Sequence, residues 1–275
     1  MIAHLAETET KRTKGNAMNR HDLLSTFAGA AIGLVSLGVT VGAAAKAAEV
    51  KLLFASALHP AIDALIPEFE KSSGYKVTVE YGTAGAVAER VLKGEAADII
   101  LSSVQAVDRL ETQGKVEPGN RIVVAKVGVG AFVRKGAAKP DISSADAFKS
   151  AMLAARSIAY PDPAGGGASG IYVAKLLERM GIVAEMRSKT RLSTLETLYA
   201  SVANGEVEIG FNQVSEILAQ PTVELIAPLP SDIQNYTQFA PGIITGSNQA
   251  DAARALVAFL SSPASRAVLK AKGFE

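Results

Sequence analysis

Four short segments rich in Ser, Thr, Gly and Ala each stand between a predicted strand and a predicted helix. They are ASALHP (55–60), YGTAGA (81–86), AGGGASG (164–170) and LSTLE (192–196), and none of them contains Lys or Arg. Backbone N–H groups in the first turn of a helix have no intrahelical acceptor, and the helix dipole makes that end positive. Hydroxyl groups add donors, and glycine lets the backbone approach a ligand closely. Such turns can hold a small anion without a cation, although any single one is more often an ordinary helix cap.

Strands and helices alternate along the chain after residue 48. The apolar run 50–55 predicts a buried strand, and apolar residues at i, i+3, i+4 and i+7 from Ile62 to Phe69 predict an amphipathic helix. Further strands are predicted at 76–81, 98–101, 121–133, 156–160, 207–211, 221–229 and 236–245. This order predicts parallel strand pairs with helical crossovers. Open α/β sheets bind ligands beyond the carboxyl ends of their strands, where the four turns lie.

The first 47 residues have the features of an export leader. Basic residues precede an uncharged run, 23–45, and Ala45-Lys46-Ala47 fits a small-x-small cleavage pattern. The alternative is a retained membrane anchor, which the high Gly, Ala and Ser content disfavours. Translation could begin at Met1 or at Met18. We predict a periplasmic protein with the signal cleaved just after Ala47.

Composition excludes several classes of protein. The 275 residues include 28 Lys and Arg against 27 Asp and Glu, so a nucleic-acid partner is not expected. There is no cysteine, which excludes disulfides, thiolate metal sites and cysteine nucleophiles. After loss of the leader, His59 is the only histidine, which removes most Ser-His mechanisms and paired-histidine metal sites. We predict no cofactor, no metal and no enzymatic activity.

Several stretches together resemble the periplasmic molybdate-binding proteins, which are solute-binding proteins of ABC importers. They are ASALHPAIDALIPEFE, YGTAGAVAERVLKGEAADI, AYPDPAGGGASGIYVAKLLERMG and STLETLYASVANGEVEIGF, and the match covers nearly all of 48–275. The resemblance implies an α/β, type II periplasmic-binding-protein fold with two lobes. Each lobe would be a mixed sheet flanked by helices, with the ligand cleft between the lobes. We assign 48–125 plus 236–275 to lobe 1 and 126–235 to lobe 2.

The resemblance also implies where the ligand binds. The family's ligand positions fall on five residues of this chain: Ala57, Ala84, Ser169, Leu195 and Gln213. The family has serine at the first two, alanine at the third, a backbone N–H donor at the fourth and tyrosine at the fifth. Ser56, Thr83 and Asn212 stand beside three of these positions. A shift of one residue in either of the first two turns would restore a hydroxyl through Ser56 or Thr83.

The resemblance implies a small anion, molybdate or tungstate, as the ligand, and neutral donors in a dry cleft can hold such a tetrahedral oxyanion. The alternatives are another oxyanion or a di- or tricarboxylic acid. An organic acid is larger and would more often recruit a cation, for which His59 and Arg90 are candidates. A hydrolase using Ser169 is less favoured, since AGGGASG lacks the G-x-S-x-G spacing. The implied partner is the membrane permease of an ABC importer, and the protein is expected to be a monomer.

Overall fold

A computed structural model describes residues 49–119 and 122–275, which lie within one compact unit, Lys46–Glu275. The predicted export leader, residues 1–47, lies outside the described residues. The strands are β1 (Glu49–Ala55), β2 (Lys76–Gly82), β3 (Ile99–Ser103), β4 (Ala125–Arg134), β5 (Ile158–Pro161), β6 (Thr190–Ser193), β7 (Ile209–Gln213), β8 (Val223–Pro228) and β9 (Tyr236–Ile243). The α-helices are α1 (His59–Ser73), α2 (Ala84–Leu92), α3 (Val104–Thr112), α4 (Ala145–Ala154), α5 (Ala168–Arg179), α6 (Val183–Met186), α7 (Leu195–Ala203), α8 (Val214–Leu218), α9 (Ala250–Leu260) and α10 (Pro263–Ala271).

The strands form two half-sheets that share β4. Their order is β2-β1-β3-β9-β4-β7-β5-β6, and β8 pairs with β4 beside this path. In one half, β1 pairs in parallel with β2 and β3; in the other, β5 pairs in parallel with β6 and β7. The first part of β4 pairs with β9, and the later part pairs with β7 and β8, all antiparallel. These mixed sheets with flanking helices confirm the predicted two-lobe α/β fold.

Each half-sheet has its own apolar packing. Phe54 of β1 and Phe69 of α1 are buried in one cluster, with Leu256 of α9. Phe148 of α4 and Phe211 of β7 are buried in another and meet edge to face. The predicted apolar face of α1 is confirmed, because every member of its periodic set is buried. Gly74 ends that helix with φ of 77°, a left-handed conformation that favours glycine.

Three local features differ from the sequence predictions. The strand predicted at 121–133 starts at Ala125, where pairing with Phe239 of β9 begins, and Ile122 and Val123 before it are exposed. Helices α3, α4 and α6 were not predicted. The sequence Ser193-Thr-Leu-Glu196 predicts a capping box that starts at Ser193, but the cap of α7 is Thr194, because β6 continues through Ser193. Thr194 and Thr197 exchange the two hydrogen bonds of a capping box.

The chain packs tightly against Gly170, in the first turn of α5. A Cβ atom at this position would lie 1.9 Å from the carbonyl oxygen of Pro161 at the end of β5. We therefore expect Gly170→Ala to lower the free energy of unfolding by about 3 kcal/mol, the upper part of the usual range for overpacking. Urea unfolding of the two proteins measures this difference.

The matched control is Gly165→Ala in the preceding loop, where an added Cβ meets nothing within 4 Å. This variant should unfold at the wild-type urea concentration. Equal midpoints for Gly170→Ala and the wild type would show that β5 and α5 are packed less closely than described.

Candidate ligand-binding site

One small cavity lies where strands end and helices begin in both halves of the molecule. Its volume is about 20 Å³. Measured in the same way, a cavity that holds one ordered water needs at least about 10–15 Å³. The eight residues predicted to contact the ligand all line it: Ser56, Ala57, Thr83, Ala84, Ser169, Leu195, Asn212 and Gln213. The strand-turn-helix pattern thus brings residues far apart in the chain to one small space, which suits a compact ligand better than an elongated one.

Three helices start at the cavity wall. Ala84, Ala168 and Leu195 are the first residues of α2, α5 and α7, and all three line the cavity. First-turn N–H groups lack intrahelical acceptors, and three helix dipoles place partial positive charge at this point. The lining residues include no Lys, Arg or His. The cavity therefore offers neutral donors to a negatively charged group.

Thr83 joins two elements across the cavity. Its Oγ1 accepts a hydrogen bond from Ala86 N at 3.1 Å, which caps α2, and donates one to the carbonyl oxygen of Gly165. Gly85 N donates a second bond to the carbonyl oxygen of Gly166 at 3.2 Å. Because the hydrogen of Thr83 is engaged by Gly165, this side chain links α2 to the loop before α5. The close contact holds the cavity closed on that side.

A buried polar network forms the opposite wall. Ser169 Oγ donates to Asn212 Oδ1 at 2.7 Å, and Asn212 Nδ2 donates to the Tyr199 hydroxyl at 2.9 Å. Burial raises the pKa of Tyr199 well above its usual value, and the nearby charge of Glu216 adds to the effect. The acceptor of the Ser169 hydrogen is an amide oxygen, which is too weak a base to activate a nucleophile. The arrangement favours positioning of Ser169 over hydrolysis.

Gln213 presents an adaptable amide to the cavity. It is 3% exposed, and its Nε2 donates to Thr237 Oγ1 at 2.8 Å. Its Oε1 has no hydrogen-bond partner among the described residues. The Thr237 hydroxyl can donate as well as accept, so the amide can turn and present Nε2 to the cavity instead. Gln213 can therefore offer either a donor or an acceptor to a ligand.

Glu216, in α8, is a lining residue that sequence analysis missed. It is the ionisable side chain among the residues that line the cavity. Burial raises the pKa of its carboxyl to about 7, although hydrogen bonds from Ser56 and Asn212 act in the opposite direction. In the sequence, Glu216 resembles an ordinary exposed residue of a short helix. Its position, three residues beyond the end of a buried strand, was the available signal.

His59 and Arg90 do not line the cavity. His59 Nδ1 lies 3.2 Å from the Asp63 carboxylate one turn further along α1, and its ring meets the edge of Tyr81. The Arg90 guanidinium bonds to Glu95 and Glu80, and these bonds raise its pKa further. Both cations proposed for an organic acid thus have carboxylate partners elsewhere. Among the described residues, no group of three His, Asp or Glu side chains is arranged to hold a metal.

Two half-sheets joined through β4 and β9, with a closed cavity at converging helix starts, define the class of two-lobed solute-binding proteins. The chain belongs to the bacterial extracellular solute-binding protein family, whose model matches residues 50–275. No helix in the described ranges is long and apolar enough to cross a membrane.

Proteins similar to this chain differ in function. An aconitate isomerase of Pseudomonas sp is 32% identical over 226 residues, which are 80% of this chain and 85% of that protein. The molybdate-binding protein ModA of Azotobacter vinelandii is 27% identical over 247 residues, which are 88% of this chain and 96% of that protein. The solved structure of the Azotobacter vinelandii periplasmic molybdate-binding protein matches with a TM-score of 0.69 at 19% identity. The match covers 82% of this chain and 98% of that one.

Proposed function

We propose that this chain is the periplasmic solute-binding protein of an ABC importer, and that it captures molybdate or tungstate. The observation that carries the proposal is a cavity of about 20 Å³ to which three helices contribute their first residues, without a lining cation. A tetrahedral oxyanion is compact and accepts hydrogen bonds in several directions, so it matches converging N–H donors. The molybdate-binding relatives in the same family support the choice of ligand.

The proposal also covers export, oligomeric state, delivery of the ligand and closure of the lobes. Residues 1–47 direct export and are removed near Ala47, and the mature protein works as a monomer that delivers its ligand to a membrane permease. Lobe 1 comprises 48–125 and 236–275, and lobe 2 comprises 126–235. The lobes close about the ligand by a hinge at β4 and β9, the strands that join the two half-sheets.

Titration calorimetry with molybdate, tungstate, sulfate and a panel of di- and tricarboxylates tests the ligand. We expect molybdate and tungstate to bind. Ala84→Ser should keep or strengthen that binding, because a regained neutral hydrogen bond contributes about 0.5–1.5 kcal/mol, or roughly 2–13-fold in affinity. Heat from an organic acid, with none from any oxyanion, would contradict the molybdate assignment and leave the family assignment intact.

A second candidate is an enzyme that isomerises an unsaturated tricarboxylic acid. Two observations favour it: the 32% identical aconitate isomerase, and the Glu216 carboxyl in the cavity with a pKa near neutrality. For such an acid, a carboxylate can remove a proton from carbon and the resulting carboxylic acid can return it, so no cofactor is consumed. The compact cavity and the lack of a lining cation favour the oxyanion over this larger trianion.

Proton NMR of cis- and trans-aconitate incubated with the protein separates the two candidates. Conversion of one isomer into the other, lost in Glu216→Gln, would establish the enzyme. Unchanged spectra for both isomers, together with calorimetric binding of molybdate, would establish the transport protein.

A further inference from the structure

A carboxyl group is an unexpected component of a cavity that takes an anion. Glu216 lines the same space as the first residues of α2, α5 and α7. Two negative charges in so small a space repel each other strongly, because a protein interior screens charges less than bulk water does. A lining Lys or Arg would offset the repulsion, but the lining residues include neither. The carboxyl and an anion can share the cavity only if one of them carries a proton.

The surroundings of Glu216 favour its neutral form. Its hydrogen-bonding neighbours are Ser56 and Asn212, which are uncharged, and desolvation is the dominant influence on its pKa. The titratable group that faces it from α7 is Tyr199, whose own pKa lies well above the physiological range. No cation is among the influences resolved for this carboxyl.

The elements packed against α8 bring no countercharge into the cavity. They are β4, β7, β8, α1 and the 3-10 turn Ser56–Leu58. Their charged residues are His59, Asp63, Glu68, Glu70, Lys71, Lys126, Arg134 and Glu224, and none of these lines the cavity. Several form ion pairs elsewhere: His59 with Asp63, Glu70 with Lys76, Lys126 with Glu275 and Glu224 with Lys139.

We propose that the anion binds together with one proton, and that Glu216 holds this proton in the bound state and donates it in a hydrogen bond to the ligand. The inference rests on the proposed anion-binding function and adds a specificity-determining residue to it. A carboxylic acid is a donor only while protonated, so it selects anions that are fully ionised and have free lone pairs. The protonated carboxyl then adds a donor to the N–H groups of the helix starts, and Gln213 can turn to supply another in place of its unpartnered oxygen.

The proposal fixes the direction of the pH dependence. Below the pKa of about 7 the carboxyl is already protonated in the free protein, so the affinity should be constant. Above that pH the free protein must take up a proton in order to bind, and the dissociation constant should rise about tenfold per pH unit. Molybdate and tungstate stay fully ionised over this range, so the change reports on the protein.

Calorimetry with molybdate between pH 6 and 9, in buffers of different ionisation enthalpy, measures both the affinity and the number of protons taken up. At pH 8 the wild type should take up close to one proton per anion. Glu216→Gln is isosteric and permanently neutral, so its affinity should be independent of pH and should exceed that of the wild type about tenfold at pH 8. Glu216→Asp keeps a titratable group and should keep a pH dependence.

The outcomes are distinct. A wild-type affinity that is constant from pH 6 to 9, or a pH dependence that persists in Glu216→Gln, would overturn the role of Glu216 while leaving anion binding established. If molybdate and tungstate fail to bind at every pH, the proposed oxyanion function itself fails. Should Glu216→Gln not fold, as judged by circular dichroism and its melting curve, the proton count of the wild type decides.

Discussion

Replacing Leu195 with proline should weaken anion binding by roughly 10–150-fold. Leu195 is the first residue of α7 and lines the cavity, so its N–H has no intrahelical acceptor and is available to a ligand. A hydrogen bond to a charged group contributes about 1.5–3 kcal/mol, which sets the size of the effect. Proline removes this donor without breaking the helix, since it is well tolerated at the first position of a helix. Thr194 before it, with φ −74° and ψ 168°, already has the extended conformation that a following proline requires.

Leu195→Ala is the matched control, because it shortens the side chain and keeps the N–H. Calorimetry should find the alanine variant close to the wild type and the proline variant far weaker, with similar melting temperatures in the absence of ligand. Equal losses in both variants would mean that the side chain, and not the backbone donor, contributes to binding.

Replacing Gly85 with valine should impair closure of the cleft and raise the dissociation constant by roughly 5–150-fold. A Cβ at Gly85 would lie 3.0 Å from Gly166 Cα and 3.2 Å from its carbonyl oxygen, in the loop before α5. Branched methyl groups cannot fit there, and overpacking of this kind costs about 1–3 kcal/mol. This cost destabilises the closed state relative to the open state. Fewer molecules can then close, and the apparent affinity falls in proportion to that fraction.

The open state of this variant should be as stable as that of the wild type, because valine is at least as favourable as glycine in a helix. Small-angle scattering should show compaction of the wild type on addition of molybdate and a smaller change in Gly85→Val. Gly165→Ala in the facing loop, with nothing within 4 Å of its Cβ, should bind and close normally. Identical scattering profiles of the wild type with and without saturating ligand would contradict closure.

The candidate site could be located from sequence because its parts are local patterns. A buried strand, a small-residue turn and a helix follow one another at each of the turns, and this order by itself brings Thr83 and Leu195 to the carboxyl ends of strands. The local pattern does not show which hydrogen-bond partner each of these residues finds in the folded protein. The sequence allowed Thr83 to supply a hydroxyl after a shift of one residue, whereas the structure engages its hydrogen with the Gly165 carbonyl, 82 residues away.

The remaining differences have the same origin in long-range contacts. Arg90 was a candidate cation for an acid, yet its guanidinium pairs with Glu80 of the neighbouring strand. Glu216 was overlooked because its place at the cavity depends on the convergence of several elements there, and the local sequence VSEIL carries no sign of that. Ile122 and Val123 have the composition of a strand but lie before the first residue of β4 that finds a partner. Local composition indicates which elements form, and pairing decides where they begin and which side chains remain available.

The central claim is that a tetrahedral oxyanion binds at the helix starts in the closed cavity. Anomalous diffraction from crystals grown with tungstate tests it most directly, because tungsten gives a strong and element-specific signal. We expect one tungsten peak in the cavity, at a distance that lets the tungstate oxygens accept hydrogen bonds from the first turns of α2, α5 and α7. Ser169 and Glu216 should lie beside it. A cavity that contains no tungsten, or that is occupied by an organic acid retained from the cell, would contradict it.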